Sequence, residues 1–225
     1  MAGTECLWQR VNWLAQAVKA EDPDHPVGTV LAGAMEEKVK NVARLCSAIE
    51  FVGINAYGND SLTIGSSLRA HGWDKPWALT EYGPMGHWQA PVTAWGAYIE
   101  ESASEKAPRY YAACSACLED TQCVGSFAFI WGWKWEKTGT WYGMFNDWEA
   151  VTEDVGVNCT ACQSPVVRAV ARCWTGAGQA GSWPSLVEVE VDGRRLAGPR
   201  FSVSQRPFVP LRVRAYHPGG RDLTA

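Results

Sequence analysis

The residues from Lys75 to Pro84, KPWALTEYGP, place a carboxylate where an apolar run stops. Trp77, Ala78 and Leu79 read as a buried strand; Thr80, Glu81 and Tyr82 follow, and Gly83-Pro84 breaks it. A carboxylate so placed can serve as a nucleophile, or as a general acid or base, if its neighbours hold the right protonation state. It can equally bond backbone N–H groups or pair with a lysine. Two other apolar runs end in the same manner. IEFVGINAYG (49–58) finishes on Asn55 and Tyr57, and CVGSFAFIWGW (123–133) on Trp131 and Trp133. His87 and Trp88 follow Glu81 in a loop. The candidate site is therefore Glu81 for the chemistry, with Asn55, Tyr57, Tyr82, His87, Trp88, Trp131 and Trp133 for substrate binding. Plainer roles stand beside these: Asn55 as a turn former, His87 and Trp88 as loop residues, Trp131 as core.

Tryptophan is abundant, with 13 in the chain, nine of them between Trp73 and Trp148. Its wide π-face and single N–H suit core packing and also stacking on sugars. Eight cysteines include two C-x-x-C pairs, CSAC at 114–117 and CTAC at 159–162. Structural zinc needs four ligands converging from paired knuckles. CSAC lies in a helical pattern without a Gly-rich knuckle, so no metal or other cofactor is expected. Disulfides formed in an oxidising compartment suit these cysteines better, and Cys117 and Cys123 are close enough to staple one loop. Asn59 (NDS) and Asn158 (NCT) match the N-glycosylation triplet. The expected location is extracellular or within the secretory pathway, although MAGTECLWQR is no signal peptide.

The elements that must position these residues alternate. Residues 5–20 have helical spacing at Leu7, Val11, Leu14, Ala15 and Val18. VGTVLAG (27–33) reads as a strand and 35–46 as a helix. The strand at 49–58, a short helix near 61–72, and the strand at 76–82 follow. PVTAWGAYIEESASEKAPRYYAACSACLED (91–120) reads as helix, with Pro108 as a possible interruption, and 123–133 as the fourth strand. Alternating strands and helices imply parallel strands with crossover helices. Functional groups in such sheets sit at the carboxyl ends of the strands, where the candidate residues fall.

Beyond Trp141 the character changes. TGAGQAGSWP (175–184) reads as a Gly-rich linker. In 185–225, LVEVEVDGR alternates strictly toward Asp192-Gly193, and FVPLRVRAY alternates again. This segment reads as the start of an immunoglobulin-like β-sandwich module. The net charge of −4 gives no argument for nucleic acid or for a membrane surface, and no apolar run is long enough for a transmembrane helix.

NAYG (55–58), LTEYGPMGHW (79–88) and GSFAFIWGWKWEKTGTWYGMF (125–145) resemble the retaining glycoside hydrolases built on a (β/α)8 barrel, the family 2 and family 5 types in particular. The resemblance spans roughly residues 5–175 and implies an α/β fold, the C-terminal half of a TIM barrel (about strands 5 to 8) over residues 1–174. It implies that Glu81 is the nucleophile at the end of the seventh strand. By the same resemblance, Tyr57 hydrogen-bonds the nucleophile or substrate, and Trp131 forms a sugar-stacking floor. The partner would be a carbohydrate, with β-linked glucans the expected substrate class.

A retaining enzyme needs two carboxylates about 5–5.5 Å apart, one attacking the anomeric carbon and one protonating the leaving oxygen. The family's acid/base glutamate follows an asparagine, and no Asn-Glu dipeptide occurs in this chain. The first half of the barrel is expected to lie upstream, and the 225-residue chain is expected to be inactive by itself. Glu136 and Glu5 are the nearest substitutes, with a solvated loop charge and a helix N-terminal acid as their plainer readings. A non-catalytic carbohydrate-binding protein and a glycan-remodelling transglycosylase are the competing functions.

Overall fold

The computed structural model describes residues 2–132, 134–144 and 164–176, and the backbone of 187–191, 194–195 and 211–215. In chain order the first elements are α1 (Ala2–Glu21), β1 (Gly28–Ala32), α2 (Glu36–Leu45) and β2 (Phe51–Tyr57). A 3₁₀ turn (Gly58–Leu62), α3 (Ile64–Ala70), β3 (Trp77–Gly83), α4 (Ala103–Glu119) and β4 (Cys123–Ala128) follow. Last come α5 (Pro165–Thr175) and the short strands β5 (Val187–Val191), β6 (Arg194–Arg195) and β7 (Leu211–Ala215).

The sheet is parallel throughout, in the order β1-β2-β3-β4. Monotonic order with right-handed crossovers lays successive helices along one face. One core results, formed by Leu31, Val52, Ile54, Leu79 and Tyr82 of the sheet against Val39, Val42 and Tyr110 of the helices. The other face keeps Val30, Val124 and Phe127 more than half exposed. The order is that of a singly wound sheet, as in part of a (β/α)8 barrel, and its parallel sense agrees with the alternation in the sequence.

Helix ends are set by ordinary chemistry. Ser102 and Glu105 form a capping box at the start of α4. Ser164 caps α5, Pro165 opens it, and Gly176 ends it with φ +63°. Two disulfides tie this side together, Cys117–Cys123 as expected from their spacing, and Cys114–Cys173, which joins α4 to α5. Cys159, Cys162 and Asn158 lie outside the described residues.

The helix expected over 5–20 is present as α1, and two other expectations need correction. In α1 the buried residues are Trp8 and Ala15, with Val11 packed partly against the core, while Leu7, Leu14 and Val18 are about half exposed. Residues 91–99 form a β-hairpin rather than the start of a helix: Val92 and Tyr98 make an antiparallel bridge, and α4 begins only at Ala103. The fourth strand stops at Ala128, after which the chain turns through a cis Phe129–Ile130 peptide. The C-terminal segment makes a three-stranded antiparallel sheet in the order β6-β5-β7. No described helix is long and apolar enough to cross a membrane.

Candidate functional site

Strand β3 carries an irregularity at the position that matters. Ile54 pairs with Leu79 and Asn55 with Glu81, so Thr80 is an extra residue. Strict alternation would put Glu81 on the same face as Leu79, in the helix-covered core. The bulge reverses this. Leu79 and Tyr82 both face the core, while Thr80 and Glu81 both face the other way. A Cβ on Gly53 would strike the Thr80 and Val30 side chains, which shows how closely strands β1 to β3 converge on the open face.

There Tyr57, the last residue of β2, donates its phenol to Glu81 Oε2 at 2.5 Å. Burial pushes the Tyr57 phenol far above its usual range, and the Glu81 carboxylate adds to it. Tyr57 thus stays protonated and remains a donor at every ordinary pH. One step back, Thr80 Oγ1 donates to Asn55 Oδ1 at 2.8 Å. Asn55 and Tyr57 therefore lie on the same face of β2, Tyr57 bonded to the Glu81 carboxylate and Asn55 bonded to Thr80 one step behind it.

A cage of aromatic edges holds the Tyr57 ring. Trp88, Phe129 and Tyr142 approach it with centroid distances of 5.7, 6.0 and 5.3 Å, all edge-to-face. His87 Nδ1 lies 3.3 Å from the Tyr142 hydroxyl. Burial raises the Tyr142 phenol, and the negative charge of Glu136 acts in the same direction. Trp141 Nε1 donates to the Met85 carbonyl at 3.0 Å, and Ile130 N–H to the Tyr142 carbonyl at 2.9 Å. The loop after β4 is thereby folded back across the end of β3.

The expected site residues separate under this geometry. Glu81, Tyr57, His87 and Trp88 come together, with Asn55 adjacent. Tyr82 does not join them: it is fully buried on the helix side and packs against Tyr110 at 5.8 Å. Burial pushes its phenol up to about 12. Ser126 and Trp174 come near enough to soften that rise, but its hydroxyl makes no hydrogen bond of ordinary geometry among the described residues. Trp131 is 67% exposed just past β4, which excludes core packing for it; Trp133 lies outside the described residues. The reserve carboxylates are both held by cations, Glu136 by Lys134 at 2.6 Å and Glu5 by Arg44 at 2.5 Å. Tyr142, Trp141 and Phe129 were not anticipated as site residues, and among so many aromatics no sequence signal separates them.

A second set of ion pairs braces the loops. Lys106, only 4% exposed, contacts Glu100 Oε1 at 2.6 Å and donates to the Thr140 carbonyl at 2.7 Å. Thr138 Oγ1 donates to the other Glu100 oxygen. Glu101 accepts from Arg109 Nε at 2.6 Å and from the Met85 N–H at 3.1 Å.

A parallel α/β sheet with a tyrosine–glutamate pair at its carboxyl edge is the class of structure these observations define. No protein-family model matches the chain, and no curated protein matches it. Among solved structures it is similar to a GH39 β-xylosidase from Caulobacter crescentus, with 17% identity, a TM-score of 0.45, and coverage of 72% of this chain and 35% of that one. It is also similar to an exo-β-agarase, with 16% identity, a TM-score of 0.46, and coverage of 76% of this chain and 23% of that one. The chain thus spans about a third and a quarter of the length of these glycosidases. At such identities and scores the likeness fixes no activity and no residue role here.

Proposed function

We propose that the chain carries the nucleophile side of a retaining glycosidase-type site, with Glu81 as nucleophile and a saccharide as substrate. The observation that carries this reading is the bulge in β3, which turns Glu81 out of the core and onto the Tyr57 hydroxyl. A donor on one oxygen fixes the orientation of the carboxylate, as in-line attack on an anomeric carbon requires. Trp88 at the same edge, and Trp131 past the end of β4, offer flat apolar faces to the C–H side of a sugar ring. The reading extends to a secreted or extracellular protein, in keeping with two disulfides. Residues 1–174 would form the partial barrel, 175–184 a linker and 185–225 an accessory β-module.

An activated substrate isolates the nucleophile from the acid catalyst. In a 2,4-dinitrophenyl 2-deoxy-2-fluoroglycoside the leaving group needs no protonation. A Glu81 oxygen forms the bond to the anomeric carbon, and the C–O bond to dinitrophenolate breaks with its electron pair. Mass spectrometry should then find one glycosyl group on the peptide containing Glu81, and none after Glu81→Gln. Saccharide binding without any adduct would favour a non-catalytic binding protein instead. Hydrolase and transglycosylase share this covalent step; they differ in whether water or a sugar resolves it.

A further inference from the structure

We propose that the hairpin at 91–99 is a second saccharide-binding element, presenting Trp95 to a neutral polysaccharide chain that continues beyond the Glu81 site. The proposal rests on the saccharide reading above and extends it from a sugar to a polymer. Trp95 stands at the hairpin tip and is 74% exposed, with Val92 and Ile99 also exposed beside it. A tip tryptophan left in water contributes little to folding and leaves its apolar face free to stack on the C–H face of a sugar ring.

The hairpin is stiff. Thr93 N–H donates to the Ala97 carbonyl at 2.8 Å, Gly96 N–H to the Thr93 carbonyl at 3.0 Å, and Ile99 N–H to the Pro91 carbonyl at 2.8 Å. Thr93 Oγ1 accepts from the Ala97 N–H at 2.9 Å. Gly96 takes φ +85°, a conformation that suits glycine, to close the turn. Its base is clamped at both ends, since Glu101 accepts from Met85 N–H and is held by Arg109. A binding group mounted this way loses little further freedom on association.

The occupant follows from continuity and charge. Tyr98 packs on His87 at 5.9 Å, His87 on Trp88 at 5.0 Å, and Trp88 on Tyr57 at 5.7 Å, so an unbroken aromatic path leads from the hairpin to Glu81. Residues 90–99 contain no charged side chain. An anionic polymer would call for a row of cations on the hairpin itself; Lys137, from the loop after β4, sits over the Tyr98 ring at 4.9 Å from its centroid, and a neutral polyhydroxylated chain needs no such row.

Affinity electrophoresis through gels containing mixed-linkage β-glucan, xylan or agarose tests this with the full chain. Trp95→Ala should weaken retention by at least one polymer about tenfold, with Trp95→Phe in between. Adduct formation by the fluoroglycoside and the thermal midpoint should not change. Retention unaltered by Trp95→Ala, or wild-type chain that forms the adduct yet is retarded by no polymer, overturns the hairpin proposal alone. Neither retention nor adduct would overturn it together with the saccharide reading.

Discussion

Two aromatic clusters share one sheet and obey different rules. The larger lies between the four-stranded sheet and its helices and contains Tyr82, Tyr110, Trp77 and aliphatic residues of β1, β2 and β3, with Cys123 and Ala128 of β4 packed at its margin. The smaller caps the strand ends, with Ala90, Trp141 and Tyr142 buried and Tyr57, Phe129 and Ile130 packed on them. In the larger cluster Tyr82 Oη and Trp77 Nε1 make no hydrogen bond of ordinary geometry among the described residues, and the Tyr110 hydroxyl, which donates toward the Phe129 and Tyr142 carbonyls at 2.5 and 2.9 Å, is the link to the smaller one. In the smaller one the polar atoms are organised, with Tyr57 on Glu81, His87 beside Tyr142, and Trp141 on the Met85 carbonyl. Packing decides the first and placement of polar handles decides the second. That contrast separates residues that hold the fold from residues arranged to meet something else.

The sharpest way to break the contrast is to weaken the helix side and ask whether the strand ends notice. Cys114 and Cys173 are 59 residues apart, whereas Cys117 and Cys123 are separated by six. On loop-closure grounds, removing the first bridge should cost about 4 kcal/mol and the second about 2 kcal/mol. Chemical denaturation of Cys114→Ala/Cys173→Ala against Cys117→Ala/Cys123→Ala measures both. If the clusters are separable, each variant that stays folded at low temperature retains Glu81 labelling.

A smaller effect is expected at the brace joining the strand-end loops to α4. Lys106→Ala leaves Glu100 largely buried without its cation and should cost about 3 kcal/mol. Burial would raise the Glu100 carboxyl, but bonds from Lys106 and Thr138 hold it below its ordinary 4.5. Its native pKa is therefore depressed. The stability it contributes is present above the unfolded value and is lost as pH falls through the lower native one. Glu105 acts in the same sense through the Ser102 capping box. Thermal unfolding across the acid range should show a decline below about pH 4.5 that is shallower in Glu100→Gln; an unchanged acid profile in that variant would remove Glu100 from the account.

These outcomes also mark what could be read beforehand. Continuous apolar runs made the four parallel strands and the carboxyl-end location of Glu81 and Tyr57 legible. The bulge was not, because Thr-Glu-Tyr carries no glycine or proline to announce it. Strict period-two counting would have buried Glu81, and Tyr82 was placed in the pocket for want of that one-residue shift. The hairpin was hidden by small residues compatible with helix; Gly96 and the Ser102–Glu105 capping box were its available signals. The Cys114–Cys173 bridge depends on α5 lying against α4, a long-range contact that no local spacing encodes.

The finest test compares the two tyrosines that stand near one another on adjacent strands. Ala56 pairs with Tyr82 and Tyr57 with Gly83, so the two rings leave the sheet on opposite sides within a residue of register. Removing only the hydroxyl keeps both rings packed. Tyr82→Phe deletes a buried hydroxyl that makes no ordinary hydrogen bond among the described residues, so stability should stay the same or rise by up to about 1 kcal/mol, with no change in labelling of Glu81. Tyr57→Phe also leaves stability within about 1 kcal/mol, since the ring keeps its aromatic neighbours. It removes the donor that orients the carboxylate, and the rate of covalent labelling should fall about tenfold, the worth of one lost hydrogen bond of ~1.4 kcal/mol. Equal labelling rates in both variants would mean that the Tyr57–Glu81 bond is structural, and the distinction between the clusters would then rest on packing alone.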